Sequence, residues 1–121
     1  MLTLDNIRKY CNSKKGVTED FPFDFKTLTI KVGSKMFALT NIEAEELKIN
    51  LKCDPLLSLQ LRSMYPQITP GYHMNKKHWN TVALFNDAPP VDIKKWVDDS
   101  YNLVINKLSR AERDSLENNL E

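Results

Sequence analysis

Between Thr27 and Thr40 the chain reads T-L-T-I-K-V-G-S-K-M-F-A-L-T, so apolar Leu28, Ile30 and Val32 alternate with Thr27, Thr29 and Lys31 until Gly33-Ser34 breaks the run. A period of two sends successive side chains to opposite faces of a strand, and a two-residue, glycine-bearing break between two such runs predicts a β-hairpin. The implied register sets Val32 opposite Lys35, Ile30 opposite Phe37 and Leu28 opposite Leu39, so apolar side chains meet on one face. That face needs an apolar cover from elsewhere in the chain.

The flanking segments can supply it. Leu4, Ile7, Tyr10 and Cys11 recur at helical spacing with Thr3 or Asp5 as cap, predicting a first helix over residues 3–14 that Gly16 ends. Residues 15–25 read as a connector broken by Pro22 and Asp24, with Phe21, Phe23 and Phe25 pinning it to the core. Leu47, Ile49, Leu51 and Cys53 alternate with Lys48, Asn50 and Lys52, giving a third strand with one wet face. Asp54-Pro55 then reads as an N-cap and first helical residue, opening a helix through Met64 with Leu56, Leu57, Leu59 and Leu61 available for burial.

A second hairpin follows, with strands around Ile68–Met74 and Trp79–Phe85 and the polar tip Asn75-Lys76-Lys77-His78. Pro89-Pro90 leads into a helix over 91–108 whose stripe is Ile93, Trp96, Val97, Tyr101, Val104 and Leu108, and Ser109 caps a short charged helix. This order predicts one α+β domain over residues 1–121, an antiparallel sheet of about five strands with helices packed on one face.

Three blocks, G-V-T-E-D-F-P-F at 16–23, K-V-G-S-K-M-F-A-L at 31–39 and L-K-C-D-P at 51–55, resemble successive blocks of the MmcQ/YjbR family. The most specific is I-T-P-G-Y-H-M-N-K-K-H-W-N-T-V at 68–82, followed by S-Y-N-L-V at 100–104. The resemblance runs almost end to end; Ser34 departs from the glycine common at that turn position, which leaves Gly33 to supply the positive φ. It implies a CyaY-like fold, also described as a double wing of two hairpins, and a DNA-binding role. It supplies no catalytic residues.

The residues themselves bear on that role locally. Net charge is only +1, so any basic patch is confined; residues 1–40 carry seven Lys/Arg against four Asp/Glu, and residues 55–90 three against one. Segment 71–79 concentrates Tyr72, His73, Asn75, Lys76, Lys77, His78 and Trp79. There Lys76 and Lys77 can neutralise phosphates, Asn75 and His78 can hydrogen-bond phosphate or base edges, and Tyr72 or Trp79 can stack on an exposed base. Lys35, at the other tip, is a second contact point. The bland alternative puts Tyr72 and Trp79 in the core, bonds His73 and His78 to carbonyls and leaves the lysines solvated.

Other chemistries find less support. His73 and His78 are two ligands where a tight zinc site needs three or four, and Cys11 and Cys53 are isolated thiols, so no metal or cofactor is expected. No nucleophile elbow, phosphate-binding glycine loop or paired carboxylates accompany the histidines, so catalysis is not expected. Glu43, Glu45, Glu46, Asp98 and Asp99 read as solvated faces. Without a leader-like or membrane-length apolar run, the chain reads as cytoplasmic, with no membrane partner. The expectation is weak, salt-sensitive DNA binding; the alternative is a protein or small-ligand interaction module built on Tyr72–Trp79.

Overall fold

The computed structural model describes residues 3–72, 74–84 and 92–118, with the side chains of 117 and 118 excepted. Its elements in chain order are α1 (Leu4–Asn12), β1 (Val17–Asp20), β2 (Thr27–Val32), β3 (Lys35–Asn41), β4 (Lys48–Lys52), α2 (Pro55–Met64), β5 (Ile68–Pro70), β6 (Trp79–Ala83), α3 (Ile93–Ile105) and α4 (Arg110–Asn118). The strands form one antiparallel sheet in the order β1-β2-β3-β4-β6-β5, confirming the α+β architecture with one strand more than expected.

The helix starts are local and legible. The Thr3 side chain accepts from the Asn6 N–H while Asn6 accepts from Thr3, a reciprocal box at the start of α1. Asp54 accepts from the N–H groups of Leu56 and Leu57 behind Pro55 at the start of α2, and the Ser109 hydroxyl accepts from Glu112 N–H in α4. Helices α1 to α3 bring Ile7, Cys11, Leu61, Trp96, Val97 and Val104 onto one sheet face, against Leu28, Ile30, Ile49, Leu51 and Val82.

Several expectations are corrected. The expected connector contains β1, which pairs with β2 from Val17↔Val32 to Asp20↔Thr29. Its phenylalanines do not pin the loop: Phe23 and Phe25 are 65% and 96% exposed, and Phe21 is also exposed. Leu56 and Leu59 lie outside too, while Leu61 and Ser58 are the buried positions of α2. The strand expected over 68–74 ends at Pro70. The last part of the strand expected to reach Phe85 lies outside the described residues.

The first hairpin keeps Val32↔Lys35 but slips between Ile30 and Lys31, so Ile30 faces Ala38 and Leu28 faces Thr40. Phe37 is the extra residue of this bulge; its ring meets Tyr101 edge-on at 5.4 Å. Around Phe37 and Lys52, Ser100 spans the gap between β3 and β4: its hydroxyl donates to the Phe37 carbonyl at 2.6 Å and accepts from Lys52 N–H at 2.9 Å. A buried polar backbone needs partners, and one α3 side chain satisfies two such groups. The S-Y-N-L-V block thus has a structural use: Ser100 bridges the strands, while Tyr101 packs on Phe37 and donates to the Lys15 carbonyl at 2.7 Å.

Candidate functional site

Antiparallel pairing decides which chain segments meet at each end of the sheet. The Gly33-Ser34 turn, the start of β3, the end of β4 and the 71–78 connection all fall at one end. The C-terminal end of α3 arrives there as well, since Leu108 packs where a side chain on Gly33 would stand.

At this end the first tip is closely held. Gly33 has φ +58°, and the Ser34 N–H and hydroxyl both donate to the Glu112 carboxylate at 2.9 Å. Lys35 begins β3 and is exposed. Lys52 ends β4; burial, then the nearby charges of Lys107 and Lys35, pull its ammonium below the ordinary lysine value. Sequence reasoning did not single out Lys52 or Lys107. In the sequence Lys52 reads only as a wet-face residue, and Lys107 reaches this end only through the packing of α3.

The second tip folds back over the sheet. Gly71 N–H donates to the Trp79 carbonyl at 2.8 Å, and the Asn75 carbonyl accepts from the N–H groups of His78 and Trp79. The Asn75 side chain accepts from Lys77 N–H at 2.9 Å, so Asn75 shapes the turn. Lys76 is exposed at the surface but turns its Nζ to the Gly71 carbonyl at 3.1 Å. Lys77 and His78 are exposed, and the His78 carbonyl accepts from Cys53 N–H at 2.8 Å, joining the tip to the end of β4. Arg62 braces the same tip from α2, donating to the Asn80 side chain and to the carbonyls of Lys76 and Trp79.

Trp79 is buried, whereas Tyr72 is 69% exposed. His73 lies outside the described residues. Lys35, Lys76, Lys77 and His78 therefore share one end of the sheet with Tyr72 beside them, while Asn75 and Trp79 build the tip. Among the described residues no group of three or more His, Cys, Asp or Glu side chains could hold a metal ion. Cys11 is buried, and that burial pushes its thiol up to about 12; burial also raises Cys53.

The sheet face away from the helices holds a second feature. Register places Thr29, Leu39, Asn50, Thr81 and Trp79 on that face. The loops carrying Phe23 and Tyr72 rise on either side of it, leaving a cleft of about 650 Å³ with Leu39 and Asn50 among its lining residues.

An α+β protein with a helix-backed antiparallel sheet, a lysine-rich sheet end and a cleft on its other face is the class these features define. The chain belongs to the YjbR family, whose model matches residues 12–103. It is 32% identical over 112 residues to the uncharacterized protein YjbR of Escherichia coli K12, covering 93% of this chain and 95% of that one. It is also 32% identical to the uncharacterized protein YyaQ of Bacillus subtilis, covering 85% of this chain and 98% of YyaQ. The crystal structure of protein DR2400 of Deinococcus radiodurans, of the domain family DUF419, matches with TM-score 0.88 and 42% identity, over 97% of this chain and 89% of that one. No helix among the described residues is long and apolar enough to cross a membrane.

Proposed function

We propose that this chain is a binding protein rather than an enzyme and that it binds DNA along the lysine-rich end of its sheet. The observation that carries the reading is the gathering of Lys35, Lys52, Lys76, Lys77 and Lys107 at one end. The ion pairs among the described residues are Arg8–Glu19, Lys14–Asp98, Lys31–Asp20 and Lys95–Asp99, so none of the five lysines is paired with a carboxylate, although Lys76 also donates to the Gly71 carbonyl. Tyr72 beside them supports stacking on an unpaired base. Buried thiols with raised pKa values are poor nucleophiles, which favours binding over thiol catalysis.

The test is fluorescence anisotropy of labelled single-stranded and duplex DNA across a salt series. Lys76→Ala/Lys77→Ala removes two cations, so the log–log salt slope should flatten by roughly 1.4 on single strands and 1.8 on duplex. Absence of salt-dependent binding at low ionic strength would overturn the reading. The cleft beside Tyr72 favours a second reading, an interaction module for a small ligand, whose affinity would respond far less to salt.

A further inference from the structure

The cleft has chemistry of its own. Its volume of about 650 Å³ falls within the range that encloses a small organic molecule. Phe23 and Tyr72 line it from separate loops and are 65% and 69% exposed, so both present aromatic surface that a planar ligand can cover. Leu39 adds an apolar floor.

Two of the polar side chains there have their oxygens engaged and their donors left over. Tyr72 N–H donates to the Thr81 hydroxyl at 2.9 Å, and that hydroxyl donates to Asn50 Oδ1 at 2.5 Å. This relay occupies the Asn50 oxygen and leaves its Nδ2 group to donate. Asn41 repeats the pattern: its Oδ1 accepts from Glu43 N–H at 2.9 Å. Among the described residues neither Nδ2 group has a hydrogen-bond partner, and the Lys26 ammonium at the margin has no ion pair. The one carboxylate in the lining, Asp24, already accepts from Lys26 N–H, Thr27 N–H and the Thr27 hydroxyl. The lining therefore carries two unengaged amide donors and the Lys26 ammonium beside one carboxylate, Asp24, whose charge the nearby Lys26 offsets.

We propose that this cleft is a binding site, distinct from the lysine-rich end, for a small planar aromatic molecule carrying a carboxylate. The aromatic side chains take the ring and the amide groups of Asn50 and Asn41, with Lys26, take the anionic acceptor. The assignment deepens the interaction-module reading and does not depend on phosphate contacts at the lysine-rich end, but a base stacked on Tyr72 would compete with the ligand's ring for that side chain.

The probe is 2-naphthoate, followed by amide chemical shifts of the isotope-labelled full chain, with 2-naphthylmethylammonium as its cationic counterpart. Naphthoate is expected to shift the amides of Leu39, Asn50, Tyr72 and Met74 with a Kd at or below about 1 mM. The cationic counterpart should bind about tenfold more weakly. Asn50→Asp keeps an acceptor for Thr81 but replaces the donor with a negative charge, so naphthoate affinity should fall about tenfold with the spectrum otherwise folded. Tyr72→Ala, at an exposed position, should lower it as well. Absence of localised shifts, equal binding of the cation, or undiminished binding by folded Asn50→Asp would each overturn the proposal. So would displacement of naphthoate from these amides by oligothymidylate, which would give the cleft to an unpaired base. A DNA titration that failed at the lysine-rich end would leave the naphthoate result intact.

Discussion

The Gly33-Ser34 tip and the 71–78 tip leave the same end of one sheet but are stabilised differently. The first is a short turn in the left-handed region, closed by a carboxylate from α4 and supported by Ser100 reaching into the strand gap behind it. The second is long and covers a tryptophan, with Arg62 tying its carbonyls to α2. A polar clamp holds one and an apolar anchor plus a guanidinium brace holds the other. The tips should therefore fail differently, although both mount exposed side chains on a held backbone, Lys35 at the first and Tyr72 and Lys77 at the second.

The largest effect should come from Trp79→Ala. Trp79 is 6% exposed, and Gly71 packs so closely that an added side-chain carbon would stand 2.7 Å from the Trp79 Cβ. Removing the indole should destabilise the protein by about 3–5 kcal/mol in denaturant unfolding. A loss below about 1 kcal/mol would show that the 71–78 segment does not depend on this anchor.

Ser100→Ala tests the support behind the first tip. It leaves the Phe37 carbonyl and Lys52 N–H without their shared partner at a fully buried position. The expected loss is about 2 kcal/mol, with faster amide exchange at Lys52 and little change at residues 75–78. Arg62→Met should show the converse, with a loss of about 1–2 kcal/mol and faster exchange across the second tip, because methionine keeps the packing stem but makes none of the three hydrogen bonds. If both variants loosened both tips equally, the two would form one cooperative unit.

This contrast also explains what could be read in the sequence. Features written within a few residues were visible: the caps at Thr3 and Asp54, the alternation from Lys48 to Lys52, and the Gly33-Ser34 turn. The bulge was hidden because M-F-A-L is apolar throughout, so either parity satisfies the pattern until Ser100, far away in the chain, fixes one. β1 was hidden because V-T-E-D becomes a strand only by pairing with β2, and the phenylalanines after it suggested burial that the cleft-bordering loop does not provide. Of the site, the charged tip was legible from Lys76, Lys77 and Tyr72. The position of Lys107 and the cleft arise from packing and registers that no local stretch records.

The smallest effect bears most directly on function. Glu112 sits at the lysine-rich end and clamps Ser34, so its carboxylate stabilises the tip and also opposes an approaching phosphate. Glu112→Gln keeps the side-chain shape and one acceptor; the expected loss is about 0.5–1 kcal/mol, since the clamp is exposed and an amide replaces only its charge. If DNA lies along both tips, removing one negative charge about 10 Å from a phosphate should tighten binding about twofold at low salt, with the gain fading as ionic strength rises. Anisotropy of the variant and wild type in parallel would measure it. Unchanged affinity beside a clear loss in Lys76→Ala/Lys77→Ala would confine the contact to the second tip and leave the first with a purely structural role.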